Sequence, residues 1–144
     1  MACPFFIPTE RADDLALPHP ARLPLGAAWR GTCASLGHES EVLNNQELES
    51  CNLGYAKSCP RLPTERACDA VRFALARESR ESISLHFVLE SDHLPAGSGL
   101  LEYDRRLNSW TASHPDPRTQ RLAQVFLQSY LERRSSISTL ILST

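Results

Sequence analysis

The chain is organised around the stretch Cys51-Asn-Leu-Gly-Tyr-Ala-Lys-Ser-Cys59-Pro60. Two further cysteines, Cys3 and Cys33, precede it, so four thiols fall within the first sixty residues. A segment that is rich in thiols but poor in helix and strand patterns needs something other than secondary structure to hold it together. Four thiolates on one metal centre would do so, and we therefore treat this stretch as part of a candidate metal site.

The length, composition and net charge are those of an ordinary globular protein. A length of 144 residues is enough for one compact domain, and a net charge of -2 gives no general attraction to nucleic acid. The first apolar run, residues 5–7, is cut by Pro8 and lacks the features of a signal peptide. No apolar run approaches the ~20 residues that span a bilayer. We expect a cytoplasmic protein with no membrane partner.

The cysteines carry the functional hypothesis. An odd number, five, fits a closed disulfide framework poorly, which favours metal binding. Proline follows both Cys3 and Cys59, as it follows the last cysteine of bacterial ferredoxin cluster motifs. Seven residues separate Cys51 from Cys59, more than the two to four of a zinc knuckle. We predict a [4Fe–4S] cluster, with Zn²⁺ as the alternative, bound by Cys3, Cys33, Cys51 and Cys59.

The remaining candidate ligands receive other interpretations. Cys68 is expected to be a buried apolar residue, because its neighbours on a predicted helix face are apolar. His19 and His38 are reserve ligands that could replace one cysteine, although loop histidines commonly face solvent. No phosphate loop, dinucleotide fingerprint or metalloprotease motif is present, so we predict no catalytic residues and do not expect an enzyme.

Proline placement divides the chain into two parts. Seven of the ten prolines lie in residues 1–63, which predicts a Cys-rich, loop-rich binding segment over residues 1–62. Within it, Asn45 to Leu53 can form a short helix, capped by Asn44 or Asn45 and ended by Gly54. The phrase Pro-Thr-Glu-Arg occurs after Cys3 and again after Cys59, and its threonines, Thr9 and Thr64, are natural helix N-caps.

Residues 63–144 predict an α-β-β-β-α scaffold. The fold class is therefore α+β, one compact domain with an irregular Cys-rich half packed on a three-stranded antiparallel sheet and two helices. A loop, Ser91 to Ser98, is expected between the first two strands, and the apolar tail 137–144 is expected as an edge strand or as coil. The predicted elements are a helix over Thr64–Arg80, strands over Ser82–Glu90, Gly99–Asp104 and Ser109–Ser113, and a helix from Asp116–Pro117 to about Arg134.

Three functions follow from these predictions. The first is a small iron–sulfur protein for electron transfer or redox sensing. The second is a zinc-stapled module that binds an unidentified protein partner. The third, favoured least, is a nucleic-acid binder that would use arginines of the last helix: Arg118, Arg121, Arg133 and Arg134.

Overall fold

The computed structural model describes residues 2–12, 24–35, 43–53, 59, 66, 68–92 and 94–142. These residues form six strands and two helices. In chain order the elements are β1 (Phe6–Arg11), β2 (Trp29–Cys33), α1 (Asn45–Leu53), β3 (Ala70–Glu78), β4 (Ser82–Ser91), β5 (Leu94–Asp104), β6 (Ser109–Ala112) and α2 (Pro117–Leu142).

The larger sheet is an antiparallel meander of β3, β4, β5 and β6 in that order. Residues that alternate along each strand share one face, and here the apolar face includes Phe73, Leu85 and Leu101. Helix α2 covers this face, since the Phe73 and Phe126 rings lie 5.8 Å apart between centroids. At the far edge the Trp110 indole N–H donates to the Gln124 side chain over 2.7 Å.

The smaller sheet pairs β1 with β2 and lies against the same helix. The Arg121 guanidinium donates to the Pro8 carbonyl over 2.9 Å, and Arg11 forms an ion pair with Glu132. Gly26 adopts a φ of 76° and packs against α2 beside Ser129. Helix α2 therefore contacts both sheets.

A short backbone bridge joins the chain start to the larger sheet. The Ala2 N–H donates to the Val71 carbonyl over 2.7 Å, and the Val71 N–H returns a bond of 2.9 Å. One continuous core contains buried side chains from both predicted parts of the chain, among them Phe6, Leu25, Val71, Leu85 and Leu122.

The predicted α-β-β-β-α order and the three-stranded sheet are wrong. The sheet has four strands, because residues 70–78, predicted as part of a helix over Thr64–Arg80, form β3. Val71, Phe73 and Leu75 alternate at the strand period and pair with Leu89, Phe87 and Leu85 of β4. In this strand Val71 and Phe73 are buried, whereas Leu75, near its end, remains 40% exposed.

Other local predictions have mixed outcomes. Thr9 caps no helix but lies in strand β1, β5 begins at Leu94 inside the predicted loop, and the tail continues α2 to Leu142. The strand from Ser82, the short strand from Ser109 and the helix Asn45–Leu53 are confirmed. Gly54 and Thr64 lie outside the described residues.

Candidate metal centre

Cys3 opens a tight turn that leads into β1. The Phe6 N–H donates to the Cys3 carbonyl over 3.1 Å, and Pro4 holds the second position, where its fixed φ suits a turn. The backbone N–H groups of Phe5 and Phe6 act to lower the pKa of the Cys3 thiol, against the effect of burial. The proline following Cys3 therefore helps to fold backbone donors over its sulfur.

Cys33 ends β2 and lies directly across from the turn, since Phe6 and Cys33 are paired in register. The Ala34 N–H donates to the Phe5 carbonyl over 2.7 Å, which continues the pairing past the strand end. The Ser35 N–H lies 3.4 Å from the Cys33 sulfur and donates to it. Two buried cysteines, Cys3 at 6% exposure and Cys33 at 8%, thus receive backbone hydrogen bonds at one end of the smaller sheet.

Cys51 lies near the end of α1. A reciprocal cap starts this helix: the Glu47 N–H donates to the Asn44 side chain over 2.8 Å, and the Asn44 N–H donates to the Glu47 carboxylate over 3.0 Å. The Cys3 N–H donates to the Cys51 carbonyl over 3.3 Å. The helix therefore delivers Cys51 to the Cys3 turn.

Cys59 acts electrostatically on two of the other candidate cysteines, Cys3 and Cys51. Burial, followed by the charges of Cys33 and Cys59, raises the pKa of Cys3 to about 11 against the opposing backbone hydrogen bonds. Burial, followed by the charges of Cys3, Cys33 and Cys59, raises the pKa of Cys51 to about 12. Cys51 and Cys59 are partly buried and pack against the hydrophobic core, whereas Cys3 and Cys33 are buried within it.

The four thiols influence one another electrostatically, but they are not arranged as a metal site. Within the described ranges, no group of three or more His, Cys, Asp or Glu residues is placed to hold a metal ion. All five cysteines carry free thiols. By their chemistry, the thiols and the nearby backbone N–H groups are of the type that holds a thiolate-bound metal, and each thiol would have to lose its proton to bind one.

Cys68 is buried in a different setting. Burial raises its pKa first, and the carboxylates of Asp116 and Asp69 raise it further, while Arg118 and Arg66 act in the opposite direction. Its charged neighbours thus belong to the start of α2 and to the approach to β3, which is consistent with a packing role.

The histidines and arginines singled out in the sequence have other contacts. His19 and His38 lie outside the described residues. The Arg118 guanidinium lies 4.5 Å from the Phe5 ring centroid and pairs with Asp116 over 3.2 Å. Arg118, like Arg121, thus already has a partner within the protein.

Asn52 is a residue of this region that sequence reasoning missed. It is 1% exposed, and its side chain bonds to the backbone of β2 as well as that of α1. The sequence could have indicated Asn52, because asparagine is disfavoured in a helix interior unless its amide has a specific partner.

No family model, curated protein or solved structure that was compared with this chain matches it. Among the helices of the described residues, none combines the length and the apolar character needed to cross a membrane.

Proposed function

We propose that the protein binds a [4Fe–4S] cluster, for electron transfer or redox sensing, through four thiolates: Cys3, Cys33, Cys51 and Cys59. The observation that carries this proposal is that the Cys3 turn is hydrogen-bonded both to the end of β2 and to α1, which carry Cys33 and Cys51, while Cys59 acts electrostatically on Cys3 and Cys51. The cluster would supply a one-electron change at a centre whose protein ligands are complete. It would leave no open position for a substrate.

Backbone N–H groups support a thiolate-bound centre. Four thiolates concentrate negative charge in a partly buried place, and this charge needs donors. Phe5 and Phe6 supply them to Cys3, and Ser35 supplies one to Cys33. Such hydrogen bonds to sulfur are among the factors that set the reduction potential of iron–sulfur clusters.

The proposal includes a reducing compartment, the cytoplasm. Five free thiols in one small chain are typical of proteins kept reduced, whereas secreted chains of this size commonly form disulfides.

Metal analysis of protein purified without oxygen tests the proposal. We expect a brown protein with ~4 iron and ~4 sulfide per chain. One zinc and no colour would replace the cluster with a structural zinc site and direct the search towards a protein partner. A protein that holds neither metal, even after reconstitution with iron and sulfide, would refute the proposal.

Two serine variants make the test specific. Cys51→Ser removes a proposed ligand and should abolish or sharply reduce metal content. Cys68→Ser is the matched control, because Cys68 is also a buried cysteine but lies among the charges of a different region. Loss of metal in both variants would show that the ligand set is wrong.

A further inference from the structure

Asn52 follows Cys51 directly and makes three hydrogen bonds with its side chain. Its amide nitrogen donates to the Trp29 carbonyl over 2.9 Å and to the Leu48 carbonyl over 2.7 Å. Its amide oxygen accepts a bond from the Trp29 N–H over 2.9 Å. Both amide hydrogens and the oxygen are therefore used, as burial of a polar side chain requires.

The partner of Asn52 lies at the start of β2. In an antiparallel strand, residues direct their N–H and C=O groups alternately to one side and the other. Trp29 is paired in register with Arg11 of β1, yet its own N–H and C=O bond to Asn52. The Asn52 amide thus occupies the place of a third strand and fastens α1 to the open side of the smaller sheet.

Two consecutive residues of α1 therefore hold two different segments of the centre. The Cys51 carbonyl accepts a bond from the Cys3 N–H, and the Asn52 side chain holds the strand that ends at Cys33. On a helix, a residue and its successor point about 100° apart, so fixing Asn52 also fixes the direction of the Cys51 side chain.

We infer that Asn52 is a positioning residue of the metal centre, which holds the last turn of α1 between the Cys3 turn and β2. The inference rests on the proposed metal site, because it assigns to Asn52 the placing of one of its ligands. A purely structural role would stabilise the protein without setting how many sulfurs reach the metal.

Cobalt titration of the metal-free full chain tests this role. Co²⁺ bound by thiolates absorbs visible light, and the bands report both affinity and the number of sulfur ligands. We expect Asn52→Ala to bind Co²⁺ about 10–100-fold more weakly than the unaltered chain, the usual loss when the support of a ligand is removed. We also expect its bands to change, because fewer thiolates would reach the metal.

Asn44→Ala is the control, since it removes the cap of α1 but leaves the three bonds of Asn52 in place. It should keep the spectrum and bind within about threefold of the unaltered chain, well inside the loss expected for a removed ligand support. Equal affinity and equal spectra for Asn52→Ala and the unaltered chain would overturn the inference alone. Absence of Co²⁺ binding by the unaltered chain would instead count against the proposed site.

Hydrogen exchange of the unaltered chain tests the inference even if Asn52→Ala does not fold. In the unaltered chain, bound Co²⁺ should slow exchange of the Trp29 amide, the donor to Asn52, by ~10-fold or more through linkage. This slowing should exceed that of the Leu101 amide in the larger sheet. Equal slowing at both amides, or none at Trp29, would overturn the inference.

Discussion

Replacement of Gly31 by alanine should break the smaller sheet. Gly31 lies in β2 opposite Pro8, where β1 carries an irregularity in its register. A Cβ atom added at Gly31 would lie 1.9 Å from the Ile7 carbonyl oxygen and 2.8 Å from the Pro8 Cα. These are backbone atoms, so no side-chain rotation can relieve the clash, and the strands themselves must separate.

The size of the effect follows from the distance. Ordinary contact begins at 3.4 Å, so the strands must move apart by about 1.5 Å at this point. A shift of that size breaks two or more hydrogen bonds between β1 and β2, each with a net value of about 1 kcal/mol. With the added strain, we expect Gly31→Ala to cost about 3 kcal/mol or more, a large part of the free energy of unfolding of a domain this small.

Urea unfolding, monitored by tryptophan fluorescence, measures the stability lost in Gly31→Ala. Alanine variants of two other glycines, Gly97 and Gly99, serve as controls. A Cβ at Gly97 would meet the Leu89 side chain at 3.7 Å, an ordinary contact, so Gly97→Ala should change stability by less than about 0.5 kcal/mol. A Cβ at Gly99 would lie 2.9 Å from the Phe87 ring, which can turn, so Gly99→Ala should cost about 1 kcal/mol. If Gly31→Ala were as stable as Gly97→Ala, the close approach of the strands would be refuted.

Three further predictions concern the protons lost on metal binding, the cap of α1 and the hydrogen bond of the partly buried Trp110 indole. Since the pKa of Cys3 is raised to about 11 and that of Cys51 to about 12, both must lose protons on binding, and metal affinity should rise at least ~100-fold per pH unit from pH 6 to 8 in chelator competition. Asn44→Ala should lower the free energy of unfolding by about 1 kcal/mol, because the cap of α1 is lost. A double-mutant cycle of Trp110→Phe and Gln124→Ala should give a coupling of about 1 kcal/mol in urea unfolding, and a value near zero would contradict their hydrogen bond.

The raised pKa values of Cys3 and Cys51 also predict how the stability of the metal-free protein depends on pH. A folded-state pKa above the ordinary value of 9.0 stabilises the fold below pH 9, where the thiols are neutral in both states. As the pH rises from 9 towards 11, the unfolded thiols ionise first and that stability is lost. Urea midpoints measured across this range should fall, and a midpoint that rises would contradict the burial of these thiols.

Sequence patterns could predict the elements whose period is unambiguous. Strand β4 alternates without a competing pattern, and α2 begins at a proline preceded by an aspartate, which bonds to the Arg118 N–H over 2.9 Å. The sequence pattern does not identify β3, because Ala70–Glu78 fits both the 3.6-residue period of a helix and the two-residue period of a strand. Its alanines and leucine favour a helix by propensity, and only the neighbouring β4 decides for a strand.

For the candidate centre too, local sequence predicts some features, while others depend on contacts between distant segments. The candidate cysteines could be named from thiol chemistry and spacing, which are local properties of the chain. The spatial relation of their segments could not be predicted from that pattern. It depends on the pairing of β1 with β2 and on the hydrogen bonds between the Asn52 side chain and the Trp29 backbone. Thr9 illustrates the limit: its surroundings suit a helix cap, but pairing with β2 makes it part of a strand.

The contact between the first strand and the last helix has a consequence for synthesis. The bond from Arg121 to Pro8 joins residues 113 positions apart, so β1 cannot pack against α2 until Arg121 has been synthesised. At ~5–20 residues per second, this interval lasts about 6–23 s. We expect β1 and β2, which are close in sequence, to pair during that time, before α2 packs against β1.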